Sequence, residues 1–237
     1  MKKWYDINEL KKHKKNHYAQ AGEDGLIEYI FKNITPKSKV GVEFGSGGMS
    51  GTPNLRYLVE KFQWKTIMWD GIENNFKKNG PSICKKFGIH NEIVTDENIN
   101  NLFTKYEISE DVDIVVIDVD GQDYYIWESL TWKPQVVEIE FNTTLDVNES
   151  KVMHRDIEHY KWRDSKSSYY GASVTALKKL GKKKGYTLIG CCGRNLFFVL
   201  DELVEDGYDV DVNDLGVELV KADKPRLPST KEKWVEV

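Results

Sequence analysis

The chain has 237 residues, of which 40% are hydrophobic and 30% are charged, with a formal net charge of -4 and three cysteines. These values fit one α/β domain spanning 1–237 and argue against a nucleic-acid binder, which would carry a basic stripe. An odd number of cysteines without metal-type spacing, no apolar run of about 18 residues, and no signal-peptide core together predict a cytoplasmic protein without a membrane span.

The N-terminal segment, 1–35, is predicted to form a helical cover. Apolar residues recur at helical spacing between 26 and 31, and Glu23 and Asp24 stand at the start of that helix, where its dipole favours acids. Capping of the helix is one interpretation of these two acids, and contact with a ligand is the other.

Strands and helices alternate through the chain up to residue 200. A turn signal at 192–195 separates the last two strands and predicts an antiparallel pair. The fold class is therefore α/β: a doubly wound, Rossmann-like sheet, mostly parallel, with an antiparallel last strand. We expect strands at Val40–Phe44, Lys65–Asp70, Glu92–Val94, Val112–Val119, Val136–Phe141, Tyr186–Cys191 and Leu196–Leu200, and helices at Asn54–Phe62, Pro81–Phe87, Asn98–Tyr106, Tyr124–Leu130 and Ser173–Lys184.

A glycine-rich turn, with Gly45, Gly47 and Gly48, follows the first strand. Glycines at this point let the backbone approach a ligand closely, and an acid after the second strand, here Asp70, can accept both ribose hydroxyls. The first strand also carries an acid, Glu43, which differs from the dinucleotide pattern G-x-G-x-x-G. An acid there suits a ligand with a positively charged amino-acid end, such as S-adenosylmethionine (SAM).

Six segments resemble, in order, the FkbM-type class I SAM-dependent methyltransferases. The most specific is the I-D-x-D-G-x-D-Y-x-x-W signature after the fourth strand, and the resemblance covers 20–200. It implies SAM as methyl donor and O-methylation, often of sugars in antibiotics, glycans or surface polysaccharides. One departure is GSGGMSGTPN, where relatives often have an acid in the turn and S-N-T after it. The segments are AQAGEDGLIEYIF, GVEFGSGG, TDENINNLF, VDIVVIDVDGQDYYIWESL, VVEIEFNTT and YYGASVTALKKLGKKKGYTLIGC.

The resemblance also implies a set of cofactor-binding residues at the carboxyl ends of the strands. In this set, Asp70 holds the ribose, Gly45, Ser46 and Gly47 lie against the methionine part, Asp96, Glu97 and Asn98 lie near the adenine, and Gln20 and Asp24 belong to a Q-x-G-E-D segment that covers the donor. From their positions at the strand ends, Glu43 and Asp118 are further candidates for contact with SAM.

Acidic and amide side chains follow two neighbouring strands. Asp118, Asp120 and Asp123 follow the fourth strand, and Glu140 and Asn142 end the fifth. Because adjacent strands lie about 5 Å apart, these groups can share one centre, and crowded carboxylates need a cation or a proton. Their oxygens suit Mg²⁺ or Mn²⁺, with Asp120, Glu140 and Asn142 as candidate ligands. The motif also resembles the L-D-G-D of metal-dependent sugar O-methyltransferases. In the alternative, Asp118 contacts SAM, Asp120 caps the next helix and Glu140 binds substrate.

The segment 143–170 is predicted to be an acceptor-side insert, because long polar inserts in α/β enzymes often build substrate sites. His154 is a candidate base, beside Asp118 and Asp120, and surface exposure without a role is the alternative. The candidate substrate-binding residues are Asn142, His159, Arg163, Tyr169 and Tyr170, with plain packing as the alternative for the tyrosines. The tail 201–237 is expected to wrap the surface.

The leading hypothesis is a SAM-dependent O-methyltransferase acting on a carbohydrate hydroxyl of a nucleotide-sugar or a surface glycan. Another small acceptor, such as a phosphoramidate or a lipid headgroup, is an alternative, as is a non-catalytic SAM-binding scaffold in glycan assembly. An NAD-dependent sugar oxidoreductase would need a fuller G-x-G-x-x-G, which the chain lacks. The sequence leaves a homo-oligomer open.

Overall fold

The computed structural model describes residues 5–45, 47, 52–156, 168–219 and 234–237. Three predicted site residues, Ser46, His159 and Arg163, lie outside the described residues.

Seven strands form the main sheet, in the order β3-β2-β1-β4-β5-β8-β7. All pairs are parallel except those of β8, which runs antiparallel to β5 and β7. This arrangement confirms the predicted fold class, including the antiparallel last strand. The strands are β1 Val40–Phe44, β2 Lys65–Trp69, β3 Ile89–His90, β4 Ile114–Ile117, β5 Val136–Glu140, β7 Tyr186–Cys192 and β8 Asn195–Leu200; β6 Lys151–Val152 and β9 Val235–Glu236 form a separate antiparallel pair.

Helices cover both faces of the sheet. In β4, Ile114 and Val116 pack with apolar residues of α1 to α4, whereas Val115 and Ile117 pack with those of α5 to α7. The central strand is therefore buried on both faces, as its apolar run predicts. The helices are α1 Ile7–Lys12, α2 Glu23–Asn33, α3 Arg56–Phe62, α4 Glu73–Phe87, α5 Ile99–Lys105, α6 Asp123–Ser129 and α7 Val174–Lys184, with short 3-10 turns at Asp201–Leu203 and Val212–Leu215.

The third strand differs from the prediction, because β3 is Ile89–His90 and not Glu92–Val94. Gly88 ends α4 with φ 63°, and a Cβ atom there would lie 2.0 Å from the Thr66 carbonyl oxygen. This close approach brings the chain alongside β2 immediately after the helix, so the strand begins at once.

Two helical predictions also need correction. The segment 1–35 is helical only in α1 and α2 among its described residues. Helix α4 begins at Glu73, well before the predicted Pro81, and Gly80 (φ 72°) marks a kink within it. Proline lacks an N–H and cannot continue an ordinary helix, which is why the sequence pattern suggested a start at the kink. No helix in the described ranges is long and apolar enough to cross a membrane.

Candidate functional site

A polar cleft of about 600 Å³ opens at the carboxyl ends of β1, β4 and β5. This is where ligands bind in doubly wound sheets. Its described lining comes from the N-terminal cover, the glycine-rich turn, the loop after β4, the end of β5 and the β7–β8 turn. The lining residues are Gln20, Ala21, Glu23, Glu43, Gly45, Gly47, Thr52, Asn54, Asp118, Asp120, Glu140, Gly193, Arg194 and Asn195.

Gly45 brings the end of β1 against the loop after β4. Its φ is 79°, and a Cβ atom at this position would lie 1.5 Å from the backbone oxygen of Asp118. The Gly45 N–H donates to the Trp69 oxygen at 2.9 Å, which fixes the turn to β2 as well. The glycine is therefore required both by the left-handed backbone and by the lack of space.

Glu43 holds the segment that joins the glycine-rich turn to α3. Its side chain is buried, and its two oxygens accept hydrogen bonds from the N–H groups of Asn54 (2.9 Å) and Leu55 (3.0 Å). Burial raises the pKa of Glu43 to about 7, although these two bonds act in the opposite direction. Glu43 thus lines the cleft, as predicted for a cofactor-binding residue, and also anchors the start of α3.

Three carboxyl groups converge in the cleft. One oxygen from each of Asp118, Asp120 and Glu140 lies within 4.8 Å of the others. Glu140 Oε2 is buried without a hydrogen-bond partner among the described residues, and Arg194 Nη1 lies 4.0 Å from Glu140 Oε1. Burial is the main cause that raises the pKa values of Asp118 and Glu140 well above their ordinary range. The charges of Asp118, Asp123 and Asp120 add to this at Glu140. Those of Asp123 and Asp120 add to it at Asp118, where a hydrogen bond with the Glu140 side chain acts in the opposite direction. The arrangement is suited to binding a cation.

The loop after β4 is shaped by Asp123. Its carboxylate accepts hydrogen bonds from the N–H groups of Val119 and Gly121, each at 2.8 Å. Burial raises its pKa to about 6, against the effect of these bonds. The neighbouring Asp120 has φ 61°, an unusual conformation for a residue other than glycine. Asp123 therefore holds the loop that precedes α6, a helix that begins without a side-chain cap from Gln122. Asp120 lines the cleft.

The N-terminal cover contributes Gln20 and Glu23 to the cleft. Gln20 Nε2 donates to Thr52 Oγ1 at 2.5 Å, which bridges the cover to the segment before α3. Glu23 Oε2 accepts from the Ala21 N–H at 2.7 Å. Asp24 is not part of the described lining. Its Oδ2 accepts hydrogen bonds from the three backbone N–H groups of residues 17–19, at 2.7, 2.6 and 2.9 Å. Asp24 therefore stabilises the fold of the cover.

Asp24→Ala is expected to lower the free energy of unfolding by about 2–3 kcal/mol, measured by urea denaturation. The loss is limited because, of the three donors, the Ala19 N–H lies at a buried residue while His17 is exposed. Asp6→Ala is the matched control, since Asp6 accepts backbone bonds at the exposed start of α1. It is expected to cost about 1 kcal/mol. Equal costs for the two variants would contradict the structural role of Asp24.

The residues predicted to contact the ribose and the adenine of SAM lie outside the described cleft lining. Asp70 is buried at the end of β2, and its Oδ1 accepts from the Ile72 N–H at 2.6 Å. Asp96 forms an ion pair with Arg155 Nε at 2.8 Å. Asn98 bonds within its own turn, accepting from the Thr95 N–H, and the neighbouring Glu97 is exposed.

Asn142 was predicted to bind both the acceptor and a metal ion. Asn142 is fully buried, and its amide bonds to the backbone of Ser168, Tyr170 and Thr144. These bonds hold the loop after β5, which corrects its assignment as a metal ligand; Asp118 is the third acid beside Asp120 and Glu140.

Tyr170 is the tyrosine of the insert that belongs near the acids. Burial and then the charge of Glu140 raise its pKa to about 12. Tyr169 is also buried, but its ring packs at a tilt against that of Trp234 and its hydroxyl accepts from the His154 N–H at 2.8 Å. Its ring is thus not exposed for a sugar. His154 lies outside the described lining, with its side chain beside Asp156.

Sequence reasoning missed several residues in and beside the cleft, among them Arg194, Asn54 and Glu138. Arg194 was seen only as part of a turn, and Asn54 only as the start of a helix. Glu138 lies two residues before Glu140 on β5 and so on the same face of the sheet, a signal that could have identified it. Glu138 is fully buried, and burial together with the charge of Glu23 raises its pKa well above the usual range.

Comparison with known proteins adds little detail. No protein-family model matches the chain, and no curated protein matches it significantly. A CurJ carbon methyltransferase structure is 11% identical, with a TM-score of 0.48, over 77% of this chain and 55% of that one. The citrinin polyketide synthase CMeT domain is 12% identical, with a TM-score of 0.42, over 75% and 50%. The chain thus spans about half the length of these structures. The FkbM resemblance remains a prediction.

Proposed function

We propose that the chain is a SAM-dependent O-methyltransferase that acts on a carbohydrate hydroxyl, in a nucleotide-sugar or a surface polysaccharide. The observation that carries the proposal is the cleft at the switch point of the sheet, where a tight glycine turn meets several buried carboxyl groups. Hydrogen-bond acceptors dominate this lining, with Arg194 as its one described cation. Such a lining complements a donor that brings a sulfonium and an ammonium group.

Transfer of a methyl group to a hydroxyl requires alignment of the two reacting atoms and removal of one proton. Asp118 and Asp120 line the cleft and are our candidates for the proton acceptor. They are preferred to His154, which lies outside the described lining. Tyr170 and Arg194, which both lie near Glu140, are the candidates for orienting the acceptor.

We further propose that Asp118, Asp120 and Glu140 bind Mg²⁺ or Mn²⁺. The fit rests on three converging oxygens and on the buried Glu140 Oε2, which has no hydrogen-bond partner among the described residues. A bound divalent cation would lower the pKa of an acceptor hydroxyl and orient it.

The donor part of the proposal is tested with Asp70→Ala. Asp70 ends β2, where a carboxylate can accept from both ribose hydroxyls. The variant is expected to bind SAM about 10- to 100-fold more weakly in calorimetry, as loss of bonds to a charged group implies. Asp111→Ala is the control and is expected to bind SAM normally. Asp111 is an exposed acid before the amino end of β4, whereas the cleft lies at the carboxyl ends of the strands. Unchanged affinity for Asp70→Ala would remove it from the donor site.

The class of activity is tested by offering the chain labelled SAM with a panel of nucleotide-sugars and glycans. Transfer of label to a sugar hydroxyl is the expected result. SAM binding without transfer to any acceptor would favour the scaffold, and transfer to a phosphoramidate or lipid headgroup alone would favour the other acceptor class. Binding of NAD in place of SAM would refute the proposal.

A further inference from the structure

A buried carboxyl group, Glu138, lies beneath the cleft. In the register of the sheet, Val116 of β4 separates it from Glu43 of β1. Its Oε1 accepts a hydrogen bond from Asn54 Nδ2 at 2.6 Å, and its Oε2 is buried without a partner among the described residues. A buried carboxyl with one bond on one oxygen is costly to the fold, which points to a role in the site above it.

Asn54 lines the cleft and is held at two points. Its backbone N–H donates to Glu43 Oε1 at 2.9 Å, and its side-chain nitrogen donates to Glu138. Because the amide nitrogen of Asn54 donates to Glu138, the carbonyl oxygen Oδ1 is the side-chain atom that remains to accept a hydrogen bond. Within the described parts of the chain, no hydrogen bond engages Oδ1.

The surroundings of Asn54 define what it can bind. Glu23 and Glu43 share the cleft with it, and both offer oxygens. Three groups of acceptors together suit a positively charged hydrogen-bond donor. We propose that Asn54 Oδ1 accepts a hydrogen bond from the ammonium group of the bound ligand, and that Glu138 is the positioning residue that orients Asn54. This inference rests on the proposed function, in which the ammonium group is that of the methionine end of SAM.

The test compares two ligands by calorimetry: S-adenosylhomocysteine, which has the amino-acid end, and methylthioadenosine, which lacks it. Asn54→Ala is expected to weaken S-adenosylhomocysteine binding about 10- to 100-fold and to leave methylthioadenosine binding unchanged. Asn100→Ala is the matched control, because Asn100 also fastens two segments, at Ser129 and Thr131, but outside the cleft. It is expected to change neither affinity.

The role of Glu138 is tested by a pair of variants. Glu138→Leu removes the acceptor for Asn54 and is expected to weaken S-adenosylhomocysteine binding as much as Asn54→Ala does. Glu138→Gln keeps an oxygen for the Asn54 amide and is expected to bind within about twofold of the unaltered chain. The double variant Asn54→Ala, Glu138→Leu is expected to bind no more weakly than Asn54→Ala, since the two residues act through one contact.

The outcomes of these measurements separate the proposed function, the contact made by Asn54 and the positioning role of Glu138. If the unaltered chain does not bind S-adenosylhomocysteine, the proposed function fails. If it binds and Asn54→Ala leaves the affinity intact, or reduces both ligands equally, the inference about Asn54 is overturned. If Glu138→Gln is as weak as Asn54→Ala, or if losses in the double variant add, the positioning role is overturned. Should Glu138→Leu fail to fold in a thermal melt, Asn54→Ala still decides the contact with the ligand, and an affinity of Glu138→Gln as low as that of Asn54→Ala still overturns the positioning role.

Discussion

Removal of divalent cations is expected to abolish methyl transfer by this chain, and Mg²⁺ or Mn²⁺ to restore it. The physical reason is the cluster of half-buried Asp118 and Asp120 with buried Glu140, because a cation offsets the repulsion of the two aspartates on Glu140. Lewis-acid stabilisation is worth several kcal/mol, so the loss in kcat on dialysis against EDTA is expected to exceed about 100-fold. The measurement is transfer of labelled methyl groups before and after addition of each metal.

Binding of the metal is measured separately from turnover. Mn²⁺ bound to the unaltered chain is expected to be detected by electron paramagnetic resonance, and Glu140→Gln and Asp120→Asn are expected to lose that signal. Asp146→Asn is the control, because Asp146 is an exposed acid that accepts from the Asn148 N–H, a bond that asparagine can keep. It is expected to bind Mn²⁺ as tightly as the unaltered chain does.

Full turnover in the presence of chelator would reject the metal. The acids would then need protons to coexist, and Asp120 would become the favoured base of the transfer step. Loss of turnover without detectable Mn²⁺ binding would equally reject the assignment of these three ligands.

The sheet could be predicted because its signals are local. The helix predicted at Ser173–Lys184 is α7, which begins one residue later because Ser173 is its N-cap and accepts from the Ala176 N–H, and Gly185 ends that helix with φ 85°. The fourth strand was predicted from its apolar run, and the structure buries it on both faces. The third strand was missed because two residues, Ile89 and His90, are too few to show a period.

The cleft was harder to predict because its contacts join distant parts of the chain. The Asn54–Glu138 bond spans 84 positions and joins the segment before α3 to β5. Asn142 was assigned to a metal because it follows the acids in sequence, but its amide is used by the adjoining loop. Sequence order places a residue at a strand end, and the loops decide which side chains then face the ligand.

Gly45→Ala is expected to lower the free energy of unfolding by about 3–5 kcal/mol. The added Cβ would lie 1.5 Å from the Asp118 oxygen, which belongs to the backbone and cannot rotate away. The ends of β1 and β4 must then separate, and this change would also displace Asp118 from the acid cluster. Urea denaturation measures the stability, and calorimetry with S-adenosylhomocysteine measures the effect on the cleft.

Gly171→Ala separates crowding from backbone strain. Gly171 has φ 61°, similar to Gly45, but an added Cβ there meets no atom of the described residues within 4 Å. The cost of the left-handed conformation alone is roughly 1–2 kcal/mol, so this variant is expected to lose that much and no more. Equal losses for the two variants would show that Gly45 is required for its φ angle and not for the approach of β1 to β4. A larger loss for Gly45→Ala, accompanied by weaker ligand binding, would support the close approach as the feature that shapes the cleft.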